Sequence, residues 1–416
     1  LGSFSESTAG STGIRRRLFA GDAAQGVALI ELMRKRFDVV LMNPPFGETP
    51  TRADRKLRAN WASAANDIYA VFLLNGLASC LPEGVVGAIT SRGFMKGRDL
   101  RDFRPKILGK SDGTMSLFVD LGLSVLDSAE VETAMFIIKR DLEPDFHTRF
   151  VDLRKKSRPE LEMSPIAEHF RTAFVRQPNA FWVIPECAIL YTANDQELDD
   201  WANSTRLDPE VARVTRGLNS SNDERFLRLW WEVPFPEIGN RYCYCAKGGE
   251  YRWLFTNIIT VINWGESGEE IAAHTATRST NIAQARRSSG YYFKSGLTLT
   301  YRNSDFSLRA LPADCIFTNS APVIIPHDSE NIIPVFAAFL SQRYERLLGQ
   351  VEKKGKYDTG RLGKLPAPDI VHLEGDPPSW AGLIGLLSEG ERQVETSPYF
   401  GSLTVSALLG RNNFAS

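Results

Sequence analysis

The first 140 residues alternate apolar runs with polar turns, a pattern that predicts strands and helices in succession. The clearest apolar run follows Asp38 and stops abruptly at Asn43-Pro44-Pro45. An uninterrupted run of this kind is typical of a strand that is buried on both faces, as in a parallel sheet. The two prolines end the strand at once, because proline donates no backbone N–H and fixes its own φ. Ligands of open α/β sheets bind at such strand ends.

The neighbouring segments extend this pattern on both sides of the run. Helical periodicity covers residues 23–36, 66–80 and 96–108, and strand-like runs cover residues 85–90, 117–121 and 132–139. Strands that alternate with helices through short links predict a parallel sheet of the doubly wound type. The polar segment from Gly47 to Asn60 predicts a loop above the strand end.

The second half of the chain has a different character. Residues 140–209 are charged and mixed in composition, with one predicted helix at 195–205, and this favours a connecting region. Between residues 213 and 317, aromatic, glycine and polar residues alternate with short strand-like runs, which is typical of a loop-rich recognition domain. Residues 332–348 predict an amphipathic helix.

Composition excludes several classes of protein. The chain has 416 residues, 43% of them hydrophobic, and a net charge of -1, so any nucleic-acid binding must come from local basic patches. Its five cysteines are too few and too scattered for a disulfide scaffold, and Cys243 and Cys245 lack a second pair at metal-site spacing. We therefore expect no metal. The sequence lacks a membrane-length apolar run and a signal peptide, so we expect a soluble, cytoplasmic protein without membrane contact.

The turn after the first strand carries readable chemistry. The Asn43 side chain and the Pro44 carbonyl offer two oxygens that can both accept hydrogen bonds from one amino group, and Phe46 adds an aromatic face. Together these residues predict a pocket for a planar substrate that bears an exocyclic amino group. The alternative is a Pro-Pro turn of structural use only.

Asn43-Pro44-Pro45-Phe46 resembles the catalytic motif of S-adenosylmethionine-dependent amino-methyltransferases, chiefly the DNA adenine-N6 enzymes. The resemblance implies that Asn43 and Pro44 accept from the amino group, that Pro45 holds the turn and that Phe46 stacks on a flipped adenine. It also implies that Asp22 and Asn43 bind the cofactor S-adenosylmethionine, although Asp22 could equally cap the following helix. Many relatives carry a second stacking aromatic near the position of Leu126.

Residues 216–233 and 244–253 resemble the target-recognition domain of type IIG restriction-modification enzymes and of BREX- and DISARM-type phage-defence methyltransferases. Four later segments resemble further parts of the same domain and follow in the same order, at residues 263–265, 292–298, 322–326 and 356–366. Arginine, lysine and asparagine suit phosphate and base-edge contacts, although a solvated face is the alternative for any single one. The candidate DNA-binding residues are Arg216, Asn219, Asn222, Arg225, Arg228, Lys247, Arg302, Asn303 and Lys354, and Arg252 and Arg309 could also pair with DNA.

The resemblance implies an α/β fold, with a partial Rossmann-like methyltransferase sheet followed by a mixed α/β target-recognition domain. We expect a catalytic region over residues 1–145, a connecting region over 146–210, a DNA target-recognition domain over 211–370 and a tail over 371–416. The expected function is methylation of adenine N6 in double-stranded DNA for host marking. Alternatives are a catalytically incomplete DNA-binding specificity module, or methylation of RNA or protein glutamine through the same motif.

One expected part of the cofactor site is not readable in this sequence. No strand followed by a Gly-rich turn precedes Leu18, although such a turn holds the methionine end of the cofactor in this family. We therefore expect an upstream segment or a partner chain to complete the cofactor site, the fragment alone to be inactive, and other defence-system proteins to be partners.

Overall fold

The computed structural model describes residues 25, 27–28, 31, 34–123, 125, 131–156, 166–249, 254–351, 355–368 and 382–385. The chain divides into two compact units, Leu1–Leu198 and Asp199–Ser416. The expected α/β fold class is confirmed, since the described residues form mixed sheets with helices between the strands. Several residues singled out above lie outside the described ones, namely Asp22, Leu126, Arg252 and Lys354.

The first unit is built on a six-stranded sheet in the order β1-β2-β4-β3-β5-β6. Its strands are β1 (Phe37–Met42), β2 (Cys80–Ser91), β3 (Thr114–Gly122), β4 (Thr133–Lys139), β5 (Thr148–Asp152) and β6 (Phe174–Arg176). Among the described residues, the helices that begin in this unit after β1 are α1 (Thr51–Trp61), α2 (Ile68–Ala78), α3 (Arg104–Ile107) and α4 (Asp195–Asn203), the last of which continues past the division. Only the pairs β1–β2 and β3–β5 are parallel, so the sheet is mixed rather than parallel throughout.

Aromatic side chains from several elements form the core of the first unit. Phe94 lies edge-on to Phe136, with ring centroids 5.1 Å apart, and Phe118 lies 5.7 Å from Phe150. Offset and edge-on aromatic pairs stabilise a core beyond the area that they bury. Helix α2 packs on β2 and buries Tyr69 almost completely. This packing holds the residues that precede α2 close to the end of β1.

Two sequence-based predictions for the first unit are wrong. Strand β1 is not buried on both faces, because it is an edge strand of this sheet, and Val39 and Leu41 are 55% and 79% exposed. The segment after Gly47 is not a loop but contains α1, a helix without a buried residue that carries an Asp54–Arg58 ion pair one turn apart. Within the region expected to connect, residues 146–210, β5 and β6 extend the sheet, and the assignment of this region stays a prediction.

The second unit contains two four-stranded sheets, in the orders β13-β9-β10-β8 and β12-β11-β14-β7. Its strands are β7 (Ala212–Thr215), β8 (Leu227–Leu229), β9 (Tyr242–Ala246), β10 (Thr260–Asn263), β11 (Gly296–Leu299), β12 (Leu308–Leu311), β13 (Cys315–Phe317) and β14 (Val323–Pro326). Its helices are α5 (Asp223–Phe226), α6 (Gly265–Ala276), α7 (Ile332–Phe339), α8 (Gln342–Val351) and α9 (Thr359–Leu362). The single helix predicted over 332–348 is therefore two helices. Phe226, Ile262 and Phe317 lie in a shared hydrophobic core.

The five cysteines are all free and buried. Cys80 and Cys187 belong to the first unit, and Cys243, Cys245 and Cys315 to the second. Burial raises the pKa of each of these thiols above its ordinary value, because the thiolate loses its hydration. Among the helices that the structure describes, none is both long and apolar enough to cross a membrane.

Candidate active site

The predicted catalytic turn emerges directly from the carboxyl end of β1. Asn43 is exposed and Pro44 is buried, while Pro45 is exposed and Phe46 is half-buried. Within the described part of the chain, neither the Asn43 side chain nor the Pro44 carbonyl has a hydrogen-bond partner. The two oxygens that the sequence singled out are therefore unpaired in the described structure, and that of Asn43 belongs to an exposed side chain.

A carboxylate at the start of α2 fixes the far side of this turn. The Gly47 N–H donates to Asp67 Oδ1 at 3.0 Å, and the Ile68 N–H donates back to the Gly47 carbonyl at 2.9 Å. Asp67 also caps α2 by accepting from the Tyr69 N–H. Gly47 has φ of +115°, a conformation that side chains with a Cβ rarely adopt, so this position requires glycine.

The surroundings of Asp67 also shift the pKa of its carboxyl group. Burial raises the pKa of the Asp67 carboxyl, although the backbone N–H groups of Gly47, Tyr69 and Ile68 act in the opposite direction. The ring of Phe46 stands perpendicular to that of Tyr69, with centroids 6.1 Å apart. Asp67 thus joins Gly47, at the end of the predicted catalytic turn, to helix α2. The contact between the Phe46 and Tyr69 rings supports this connection.

A cavity of about 750 Å³ adjoins the turn. It begins at Gly47 and lies between α1 and the carboxyl end of β2, where Ser91 and Gly93 line it; Asn43 is not among its lining residues. Arg58 links α1 to the segment before α2, because its Nη1 donates to Asn66 Oδ1 at 3.1 Å. Its Nε donates to both Asp54 oxygens of the same helix, at 2.8 and 2.9 Å. Asn66 Nδ2 in turn donates to the Asp99 carbonyl at 2.7 Å.

A buried charge cluster at the ends of β2 and β3 was not predicted from the sequence. The side chain of Asp120 is fully buried, with Arg92 Nε 3.4 Å and Arg154 Nε 3.6 Å from its Oδ2. The Tyr191 hydroxyl donates to the same oxygen at 2.8 Å. Burial raises the pKa of Asp120, and the two arginines only partly offset this. Arg92 at a polar strand end was the only visible signal, because Tyr191 is distant in sequence.

Several of the candidate DNA-binding residues have structural partners inside the second unit. Arg225 Nη2 lies 2.8 Å from Glu270 Oε1, and Lys247 Nζ lies 2.7 Å from Asp223 Oδ2. Arg228 donates to the backbone carbonyls of Glu224 and Leu227. Two asparagines accept hydrogen bonds from the backbone: Asn222 Oδ1 accepts from the Arg225 N–H, and Asn219 Oδ1 accepts from the Ser221 N–H. Their part in DNA recognition stays a prediction.

The other candidates differ widely in accessibility. Arg309 is only 2% exposed and donates to Thr300 Oγ1, so it cannot contact DNA as placed. Asn303 is half-buried, and its Nδ2 is enclosed without a hydrogen-bond partner. Arg302 is exposed, and Arg216 lies against the ring of Tyr301. The candidates therefore differ in accessibility and in partners, and their part in DNA recognition stays a prediction.

Comparisons with known proteins bear on this site. Residues 14–123 match the family described as Eco57I restriction-modification methylase. The chain is 20% identical over 82% of its length to the adenine-specific methyltransferase PglX of Lacticaseibacillus casei (strain Zhang). It is 22% identical over 85% of its length to the adenine-specific methyltransferase BrxX of Escherichia coli O9:H4 (strain HS). The chain spans 30% of the length of each of these two relatives.

A solved structure of the type IIL restriction-modification enzyme MmeI in complex with DNA is also similar to the chain. It is 12% identical, with a TM-score of 0.46, over 77% of this chain and 45% of that one. The family match contains the whole catalytic turn, α1, α2, β2 and β3. The predicted resemblance to adenine-specific methyltransferases of restriction-modification systems is therefore confirmed, and residues 14–123 carry the match to the Eco57I methylase family.

Proposed function

We propose that this chain supplies the catalytic turn and the DNA-recognition part of an S-adenosylmethionine-dependent DNA adenine-N6 methyltransferase. One observation carries the proposal: the exposed Asn43 amide and the adjacent Pro44 carbonyl have no hydrogen-bond partner among the described residues, on a turn that Asp67 fixes. The adenine amino group presents two N–H donors, which match these two acceptors. The names of the relatives, both adenine-specific methyltransferases, support the choice of base.

The mechanism follows from the chemistry of the amino group. Adenine N6 is inaccessible inside the duplex stack, so the base must first be flipped out. Asn43 Oδ1 and the Pro44 oxygen then accept hydrogen bonds from the two N–H groups of N6. These bonds draw the nitrogen lone pair out of conjugation with the ring. S-adenosylmethionine, when bound, supplies an electrophilic methyl group. N6 would form a bond to the methyl carbon as the carbon–sulfur bond of the sulfonium breaks and its electron pair stays on the sulfur as a neutral thioether, and the proton that N6 loses would pass to solvent. Catalysis rests on positioning and on electrostatic stabilisation of the developing charge.

The residues beside the turn fit a ligand that carries a nucleoside. The cavity of about 750 Å³ lies within the size range of small-molecule sites. The side chains of Glu48 and Asp99 line it, and neither has an ion-pair partner in the described ranges. These carboxylates can accept hydrogen bonds from ribose hydroxyls or from an adenine amino group. We infer that Asn43 contributes at the reacting end of the cofactor, as Asp22 would at its adenine.

We further propose that residues 211–370 read the DNA target and that the modification marks host DNA in a restriction-modification or phage-defence system. The second unit supports this division, because it has its own hydrophobic core and two sheets of its own. An upstream segment or partner chain that completes the cofactor site, and other defence-system proteins, belong to the same proposal.

The test is Asn43→Ala in the full-length protein. Loss of a hydrogen bond that strengthens in the transition state costs roughly 3 kcal/mol, so we expect methylation to fall about a hundredfold or more. Affinity for DNA should stay near that of the wild type, because Asn43 acts on the amino group and not on the backbone. The measurements are methyl transfer from labelled S-adenosylmethionine and equilibrium binding of a DNA duplex.

Asn60→Ala is the matched control, since Asn60 is an exposed asparagine of α1 that bonds only to the Lys56 carbonyl of its own helix. It should methylate at the wild-type rate. Wild-type turnover in Asn43→Ala would refute the mechanism. The wild-type protein could instead bind DNA while it neither binds S-adenosylmethionine nor methylates. That result would favour the catalytically incomplete specificity module.

A further inference from the structure

We propose that Arg216 and Lys356, which both lie close to the ring of Tyr301, form a contact for the phosphate backbone of DNA. The Arg216 guanidinium carbon lies 3.8 Å from the centroid of the Tyr301 ring, and Lys356 Nζ lies 5.8 Å from it. The inference rests on the proposed function, because it names where the duplex touches the second unit. The sequence indicated that the basic turn of residues 353–356 could contact the DNA backbone, but it did not single out Tyr301.

Hydrogen bonds from three separate chain segments fix this cluster in place. The Tyr301 N–H donates to the Ser320 carbonyl at 3.0 Å, and the Tyr301 carbonyl accepts from the Tyr357 N–H at 3.0 Å. Arg216 Nε donates to the Asn319 carbonyl at 3.1 Å. The ring and the guanidinium are therefore held before any ligand arrives, which lowers the entropy cost of binding.

The charges of the cluster are not neutralised within the protein. In the part of the chain that the structure describes, neither Arg216 nor Lys356 has a carboxylate within 4.0 Å, and the terminal nitrogens of Arg216 have no hydrogen-bond partner. Arg213, two strand positions before the end of β7, shows the contrast, since its Nη1 lies 3.3 Å from Asp208 Oδ1. Two cations close to one ring repel each other, and a bound anion offsets this repulsion.

The chemistry of the cluster fits a phosphate diester better than a base edge. A guanidinium with both terminal nitrogens free can bind two phosphate oxygens at once, and a lysine adds a point charge. The Tyr301 ring already contacts two cations and is only partly exposed, so it is poorly suited to stack on a base. The neighbouring Arg302 is exposed and likewise has no carboxylate partner in the described ranges, which extends the positive surface.

The experiment measures DNA affinity as a function of salt in the full-length protein. Each phosphate contact contributes about 0.9 to the slope of log K against log[salt], so Arg216→Gln with Lys356→Gln should reduce the slope by about 2. The reduction should be equal for duplexes with and without the methylation target, because phosphates carry no sequence. Arg213→Gln removes an exposed arginine that Asp208 already neutralises, and it should leave the slope unchanged.

Lys356→Gln alone provides a second test, because Lys356 is exposed and its removal should not disturb folding. It should lower the slope by about 1. If the wild type binds DNA with a salt-dependent affinity and both variants keep its slope, the phosphate contact is wrong while the proposed function stands. If the reduction appears only with the target duplex, the cluster reads bases instead, which also overturns the inference. A wild type that binds no DNA refutes both proposals.

Discussion

At the scale of single residues, the turn proposed to be catalytic is held by a carboxylate from outside it, that of Asp67. The carboxylate holds the Gly47 N–H and caps α2. In Asp67→Ala we expect the loss of the cap to cost about 1 kcal/mol of stability. Because a small displacement of a positioned group slows the reaction steeply, methylation should fall about tenfold to a hundredfold while DNA affinity is retained. Urea denaturation and methyl-transfer rates measure the two effects.

Asp67→Asn is the informative partner of this variant. The amide keeps an oxygen that can accept from the Gly47 N–H, and the raised pKa of Asp67 means that burial disfavours its charge. We therefore expect Asp67→Asn to retain most of the activity and stability. A loss as large as that in Asp67→Ala would show that the negative charge, and not the hydrogen bond, is what the site requires.

Residue-level prediction from sequence succeeded where the chemistry is local. Four consecutive residues, Asn43 to Phe46, identified the resemblance that the family match over residues 14–123 confirms. It could not find the buried Asp120 cluster, because Tyr191 reaches it from 71 residues away. Nor could it foresee that Glu270 pairs with Arg225, since that carboxylate comes from α6. Long-range ion pairs leave no trace in residue type or spacing.

At the scale of elements, apolar periodicity predicted α2 and β2, which bury a face, and missed α1, which does not. Helix α2 and strand β2 were anticipated because their apolar residues pack on each other. Helix α1 buries nothing, so its sequence resembles a polar loop, and its helical state depends on good helix formers and the Asp54–Arg58 pair. The exposure of β1 reflects its position at the sheet edge, which the apolar run alone could not indicate.

The close approach of two segments in the second unit gives an element-level prediction. A Cβ on Gly217 would lie 1.8 Å from the Phe317 carbonyl oxygen, so the strand end and its neighbour must separate to admit one. Gly217→Ala should lower the free energy of unfolding by about 1–3 kcal/mol or more. Gly249→Ala is the control, because a Cβ there meets nothing within 4 Å, and we expect a change below about 0.5 kcal/mol.

Urea denaturation of both variants checks this expectation. Equal stability of Gly217→Ala and the wild type would mean that the two segments are not held as closely as the structure has them. A large loss in Gly249→Ala would mean that the loop after β9 is packed more tightly than its exposure indicates.

At the scale of the whole molecule, the sequence indicated a change of character between two halves, and the structure divides the chain after Leu198. The α/β class followed from alternating strands and helices, but the strand order did not, because it depends on which strands pair across long connections. The assignment of catalysis to residues 1–145 and of recognition to 211–370 stays a prediction.

The buried cysteines allow the unfolding of each unit to be followed separately, because each unit contains its own set of buried thiols. Thiol reagents attack the thiolate, and both burial and a raised pKa suppress that form in all five residues. Labelling in mild denaturant should therefore proceed only through opened molecules. Intact-mass spectra should show species with two added labels when only the first unit opens, and with three when only the second opens. Five labels gained in one step would instead reveal that the two units unfold together.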